Sequence, residues 1–313
     1  MLTDFVANGV HAPLWYGVDE GFYEDEGINL DIVYGTGSAT TSQQVAAGQV
    51  HMGDAFSATF IQAVDSGAPL VAVGMYRADA GFAFFCDEEL GLESIEDLSG
   101  HSIILPPGTV QASLYEGALR AASVEPDSVE PVAVEAKTSL SIYASGRADC
   151  IATTLGDAPT FQEIRPSDAF TWQEAGFNLA GFPFIVNNDF FESDKDLIER
   201  FLRATYKSIS AALEEPDAAL EAYLEHNPSA DRDLTAKQWL DVSVKVFCTV
   251  DMVESEEVIG AQNSEAWDTT YEAVKEFQGL TGEDISVENL FTNEFVEDAS
   301  ISGTVCSPEM ANM

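Results

Sequence analysis

The chain has 313 residues, with 54 Asp and Glu against 13 Lys and Arg and a formal net charge of −41 at pH 7. Its 46% apolar and 10% aromatic content is enough to fill real interiors and excludes a disordered or fibrous chain. No run approaches the roughly 18 apolar residues of a membrane span, so acidic a surface repels nucleic acid and anionic lipid, and the length points to two lobes.

Leu2 to Val6 reads as a strand and Ala12 to Glu20 as a helix, followed by turns at Gly21-Phe22-Tyr23 and Gly27. Ile28, Leu30, Ile32 and Tyr34 alternate with period two, which predicts a strand. Thr40 to Ala47 is a helix closed by Gly48. A short strand at Val50 to Ala55, a helix at Phe56 to Asp65 and a strand at Leu70 to Tyr76 complete the first set. The second set runs from an extended Phe82 to Phe85 through a short helix at Ser94 to Leu98 and a strand at Ser102 to Leu105. A helix from the Pro107-Gly108-Thr109 turn to Ala122 follows, then a strand at Val129 to Ala133 and a helix at Lys137 to Ala144. The set ends with a strand at Cys150 to Thr153, a helix at Asp157 to Ile164 and an extended Phe182 to Val186. From Phe190 the pattern turns helical: Lys195 to Glu214, Pro216 to Glu225, Thr235 to Val246 and Ser264 to Gln278.

Strand–helix alternation of this kind predicts an α/β fold whose parallel-dominated sheets are flanked by helices. Gly81 to Cys86 and Gly181 to Val186 share a texture, Gly-Phe-Ala-Phe-Phe and Gly-Phe-Pro-Phe-Ile, and are read as two hinge crossings. Lobe 1 is then 1–83 plus 183–313 and lobe 2 is 84–182, the alternative being that both segments are core strands.

Acidic residues lie along the whole chain, as at Asp19-Glu20, Glu24-Asp25-Glu26, Asp87-Glu88-Glu89, Glu214-Glu215 and Glu256-Glu257. Each run reads as a solvated face, but a total of −41 is self-repelling. The composition resembles that of proteins from salt-loving organisms, where salt near 1 M screens charge over about 3 Å. Cys86, Cys150, Cys248 and Cys306 are too far apart in sequence for a CxxC or zinc pattern, so no metal is expected. They allow two disulfides in any of three pairings, while the apolar run around Cys150 equally fits a buried free thiol.

In open α/β sheets a ligand sits past the carboxyl ends of strands, among helix starts. The loops in that position carry the candidate ligand-binding residues Asn8, His11, Gly37, Ser38, Thr40, Asp54, Phe56 and Tyr76 in lobe 1, and Thr109, Gln111 and Asp157 in lobe 2. Gly35-Thr36-Gly37-Ser38 lacks the Gly-Lys-Ser/Thr ending of a P-loop, yet its glycines admit a ligand to the backbone and its hydroxyls can bond one. Asn8 and His11 can meet a heteroatom-rich ring, the two aspartates can accept from an amine, and Tyr76, Phe56 or Trp15 can stack on a flat one. Each also has a plain structural role, as cap, turn or core. There is no Gly-x-Ser-x-Gly, no metal cluster and no lysine before Lys137, so binding is favoured over turnover and no catalytic residue or cofactor is expected.

Asp4-Phe5-Val6-Ala7-Asn8-Gly9-Val10-His11-Ala12-Pro13, Glu20 to Gly27, Gly35 to Thr41, Val45 to Val50 and Phe291-Thr292-Asn293-Glu294-Phe295 together resemble the SsuA/THI5-like (NMT1) solute-binding proteins of ABC importers. The resemblance spans nearly the whole chain. It implies a two-lobed, type II periplasmic-binding-protein fold that closes on a small molecule, an extracytoplasmic and lipid-anchored location, and permease and ATPase partners. Relatives take thiamine pyrimidine precursors, flavin-like rings, sulfonates or nitrate-type anions, and the Asn8-x-x-His11 texture is closest to the pyrimidine branch. Arg77 is the only cation in the lobe 1 loops, which speaks against an anion site. Related pyrimidine synthases use a Lys and a His in the loop matching Gly53 to Thr59; here it reads Asp-Ala-Phe-Ser-Ala-Thr after the glycine. The alternatives are a sulfonate or nitrate binder, an enzyme on the same fold (a pyrimidine synthase or a menaquinone-pathway lyase), and a cytoplasmic ligand sensor.

Overall fold

The computed structural model describes residues 1–249, 252–253, 258–281 and 285–296. Cys306 and the acidic pair Glu256-Glu257 lie outside the described residues. Among the described residues there are eight strands: β1 Met52–Asp54, β2 Leu70–Asp79, β3 Phe82–Asp87, β4 Ser102–Ile104, β5 Glu130–Val132, β6 Cys150–Thr154, β7 Ser167–Thr171 and β8 Ala180–Asn187. The chain divides into two compact units. Unit 1 takes Met1–Ala80, Ala180–Tyr271 and the described residues from Leu280 on; unit 2 takes Gly81–Leu179 and Glu272–Gly279.

In unit 1 the strand order is β1-β8-β2 and both pairings are antiparallel. Strand β8 is central and is buried along all but its last residue. It holds Pro183, which has no N–H for the ladder, and the β2–β8 register shifts on either side of the Met75–Pro183 pair. One face of the sheet is covered by the helix Lys195–Glu214, whose stripe of Ile198, Phe201, Leu202, Thr205 and Ile209 is buried. Phe201 meets Phe184 of β8 edge-on with ring centres 5.2 Å apart. Gly74 in β2 is needed because a side-chain carbon there would run into the Tyr206 hydroxyl of that helix. Also on β2, Ala72 is bridged by Phe291, which stacks on Trp267 with the rings 5.2 Å apart and nearly parallel.

Two expected strands of unit 1 shrink to single bridges, Leu2 with Val33 and Leu2 with Gly53. The cause is local: the Asp4 N–H donates to the Asp54 carboxylate and the Asp4 carbonyl accepts from Gly37, so the backbone leaves the ladder and bends through Asp4–Ala7.

Unit 2 has the order β5-β4-β6-β3-β7. The β4–β5 and β4–β6 pairs are parallel, and β3 runs antiparallel to β6 and β7. Both sheets together are therefore mixed, not parallel-dominated. Strands β3 and β8, which hold the segments read as hinge crossings, are interior strands of their own sheets, and the boundaries between the units fall beside them at Ala80/Gly81 and Leu179/Ala180 as well as at Tyr271/Glu272 and Gly279/Leu280. Strand β7 escaped the sequence reading because Ser-Asp-Ala-Phe-Thr carries one large apolar residue, Phe170. The helices near Arg232–Phe247 and Ser264–Gln278 each contain a π-helical stretch, Lys237–Ser243 and Val274–Gln278.

Cys86 and Cys150 face each other directly in the β3–β6 register, with Cα atoms 4.1 Å apart, and form a disulfide. The buried free thiol that the apolar run around Cys150 also allowed is thereby corrected: the ladder brings the second sulfur to it. Cys248 is disulfide-bonded as well. The Cys86–Cys150 bridge spans 64 residues of sequence, and in the chain-entropy account a loop of that size contributes about 4 kcal/mol. Replacing both cysteines by serine is expected to lower Tm by several degrees in a thermal melt; an unchanged Tm would show that the unit does not draw on the cross-link.

Candidate functional site

Three loops of unit 1 are stitched together around the first residues of the chain. The Thr3 hydroxyl donates to the Phe5 carbonyl and accepts from Gly35 N–H, while the Thr3 carbonyl accepts from the Thr41 hydroxyl at 2.9 Å. Gly35 is required there, because a side-chain carbon would collide with the Thr3 carbonyl. Gly37, at φ +134°, starts the helix Ser38–Ala46 and donates its N–H to the Asp4 carbonyl at 2.8 Å. The Ser38 hydroxyl accepts from Phe56 N–H at 3.0 Å, which ties that helix start to the next helix, Ser57–Asp65.

At the junction lies a buried charge group. Arg77 Nη2 is 3.0 Å from Asp4 Oδ1 and 3.2 Å from Asp54 Oδ2. Its guanidinium carbon sits 3.5 Å from the centre of the Phe182 ring. Asp54 and His11 have no exposed side-chain surface, whereas Asp4 and Arg77 keep 13% and 12%. Burial alone would raise the Asp4 pKa, but the positive charge of Arg77, with His11 close by, brings it down to about 2. Asp54 goes the other way: burial, then the negative charge of Asp4, push its carboxyl well above the usual range despite Arg77. Two carboxyl groups thus share one guanidinium, and of the two Asp54 is the one that burial and the neighbouring charge drive toward its protonated form.

His11 is neutral, since burial lowers its pKa below 6.5. Asn8 caps the 3₁₀ turn Gly9–His11: its side chain accepts from Val10 N–H at 3.0 Å, and its own N–H points at His11 Nδ1 at 3.4 Å. That leaves the proton on Nε2, which has no hydrogen-bond partner and faces Asp4 Oδ1 at 3.9 Å. Beside His11 stands an aromatic wall. The Tyr34 ring centre is 5.5 Å from that of His11, and the Tyr34 hydroxyl accepts from Trp15 Nε1 at 2.7 Å and donates to Asn227 Oδ1 at 2.9 Å. Trp15 is stacked on His226 at 4.3 Å. Trp15 and Tyr34 are half-buried, so part of each reaches solvent.

The sequence-predicted residues fall into three groups. Asn8, His11, Gly37, Ser38 and Asp54 meet around Asp4, and Thr40 is half-buried on the first helical turn behind Ser38. Phe56 and Tyr76 are core residues rather than stacking surfaces: Phe56 packs on Phe182, and Tyr76 lies against Phe184 and Phe247 with its hydroxyl donating to the Val10 carbonyl. Thr109, Gln111 and Asp157 belong to unit 2. Thr109 caps the helix Val110–Ala121 by accepting from Ala112 N–H and donates to the Pro106 carbonyl, Gln111 is half-buried, and Asp157 accepts from Thr153 and Thr154. Asp4 and Tyr34 escaped the reading because both sat in predicted strands. Among the described residues no group of three or more His, Cys, Asp or Glu side chains could hold a metal ion.

A model of the NMT1/THI5-like family matches residues 8–219, and the chain belongs to that family. It is 23% identical to the formylaminopyrimidine-binding protein of Halalkalibacterium halodurans, covering 86% of this chain and 82% of that one. It is 25% identical to the riboflavin-binding protein RibY of Chloroflexus aurantiacus, over 96% and 86%. It is 22% identical to the 4-amino-5-hydroxymethyl-2-methylpyrimidine phosphate synthase of Legionella pneumophila, over 96% and 93%. The fold matches the periplasmic aliphatic sulphonate binding protein SsuA of Escherichia coli with a TM-score of 0.72 at 12% identity, covering 93% of this chain and 91% of that one.

The charge group makes a pH prediction. A raised Asp54 pKa costs stability above that pKa, and the cost is relieved as pH falls toward the ordinary 3.8. A depressed Asp4 pKa contributes stability above 3.8 that is lost as pH falls toward about 2. Wild-type Tm should therefore rise on acidification from pH 7 to about pH 4 by more than that of Asp54→Asn, which keeps a neutral donor at every pH. The charge of −41 acts on both alike. Parallel Tm-against-pH curves would contradict a protonated Asp54.

Proposed function

We propose that this protein is the extracytoplasmic solute-binding component of an ABC importer and holds a small heteroaromatic, pyrimidine-like ligand on the unit 1 loops around Asn8, His11 and Ser38. The observation that carries the ligand class is the state of Arg77: it is already shared by two carboxyl groups and covered by Phe182. A sulfonate or nitrate arriving at these loops would meet no uncompensated positive charge and one ionised carboxylate. A neutral ring finds matching chemistry. The Asn8 side-chain oxygen is used by Val10, which leaves its NH₂ able to donate. The Ser38 hydroxyl accepts from Phe56 and keeps its proton for a ligand. Tyr34 and Trp15 supply flat faces.

The Cys86–Cys150 bridge and the bonded Cys248 fit an oxidising, extracytoplasmic compartment. Import then requires a permease and an ATPase as partners. The relative named as a pyrimidine phosphate synthase supports a second reading, an enzyme on the same fold. Against it, the segment Asp54 to Thr59 offers neither lysine nor histidine, and Asp54 is committed to Asp4 and Arg77.

A thermal-shift panel of aminopyrimidines, flavins, alkanesulfonates and nitrate tests the ligand class. Aminopyrimidines should raise Tm, a ligand at 100 times its Kd adding about 2.7 kcal/mol. Asn8→Ala and Ser38→Ala should each weaken binding by about tenfold, the worth of one hydrogen bond. A shift with sulfonate or nitrate and none with pyrimidines would overturn the reading, and pyrimidine phosphate formed on incubation would favour the enzyme.

A further inference from the structure

Resting on that ligand reading, we infer that Asp4 is the specificity-determining residue of the site, a fixed hydrogen-bond acceptor that selects rings carrying an exocyclic amine and rejects those with a carbonyl at the same position. Three observations point to it. First, Asp4 is immobilised on both sides of its backbone, with its N–H on Asp54 and its carbonyl on Gly37. An acceptor discriminates only if it cannot turn away, and this one has no strand or helix of its own to shift with.

Second, its acceptor capacity is only partly used. Its carboxylate takes Arg77 at 3.0 Å, shares a hydrogen bond with the Asp54 side chain and faces the His11 Nε2–H across 3.9 Å, longer than a hydrogen bond. A carboxylate offers about four acceptor positions, so the group can take a further donor. With Arg77 held on the other side, Asp4 remains ionised to pH about 2 and cannot convert into a donor to suit an oxo ligand.

Third, of the two carboxyl groups in the cluster it is the one that reaches solvent: Asp54 has no exposed side-chain surface, Asp4 has 13%. The residues after it, Phe5 and Val6, are each 50% exposed, a large apolar exposure beside a polar site. Asp4 is also within reach of the other proposed contacts. His11, which faces it, is capped by Asn8 and lies beside Tyr34, and Gly37, which bonds it, precedes Ser38. One acceptor flanked by the donors Asn8 and Ser38 is the complement of an aminopyrimidine edge, an N–H beside a ring nitrogen. An oxo group would set oxygen against carboxylate oxygen with no proton between them.

The test is isothermal titration calorimetry of the full chain with a 5-substituted 4-amino-2-methylpyrimidine and its 4-oxo counterpart. Wild type should prefer the amino compound by about a hundredfold or more. Asp4→Asn presents a donor as well as an acceptor, so it should bind both within about tenfold of each other while its Tm shows it folded. Equal affinity of wild type for the two compounds overturns the inference and leaves the ligand reading standing; so does a full amino preference in Asp4→Asn. Binding of neither by wild type overturns both. Should Asp4→Asn fail to fold, the wild-type pair decides alone: a hundredfold preference supports the amine-selecting site and its absence removes it.

Discussion

One guanidinium shared by two carboxyl groups organises the candidate site. Burying Arg77 without partners is prohibitive, and breaking a buried pair of this kind costs about 3–5 kcal/mol. The chain meets this demand from two directions, with Asp4 from its first turn and Asp54 from the end of β1. Because Asp54 also holds the Asp4 backbone, the first loop and the strand end become one body. Gly37 and Ser38 attach the glycine loop to it through the Asp4 carbonyl and Phe56 N–H. The loops of the candidate site are therefore positioned by an interaction among their own residues.

The same interaction explains why a fold shared with a sulfonate receptor need not share its ligand class. The likeness to the SsuA structure holds at 12% identity and describes backbone. Ligand choice resides in side chains, and here Arg77 is already paired with Asp4 and Asp54 without any ligand. Positive charge is scarce throughout, 13 Lys and Arg against 54 acidic residues, so a second cation is not readily recruited from nearby sequence.

Much of the fold could be read from the residues, and the exceptions share a cause. The helix Lys195–Glu214 was legible to its ends because a long apolar stripe of period 3.6 has few alternatives. Strands β2, β4, β6 and β8 were legible from short apolar runs between turns. Leu2 to Val6 and Ile28 to Tyr34 misled because apolar alternation indicates an extended chain but not whether backbone groups pair with a neighbour; here side chains of Thr3 and Asp54 take their place. Strand direction, and hence the mixed sheets, was likewise invisible, as was the Cys86–Cys150 pairing, which the β3–β6 register decides. At the site the glycine and hydroxyl loop and the Asn8–His11 pair announced themselves by composition. Asp4 did not, since one acidic residue among 54 Asp and Glu carries no weight until Arg77 is seen beside it.

The central claim is that Arg77 serves the protein and not the ligand. A crystal structure of the ligand-bound protein tests it most directly. The account predicts that Arg77 remains on Asp4 and Asp54 over the Phe182 ring, with a ligand N–H on the Asp4 carboxylate. A bound structure in which Arg77 has left both carboxyl groups to pair with an anionic ligand would contradict it.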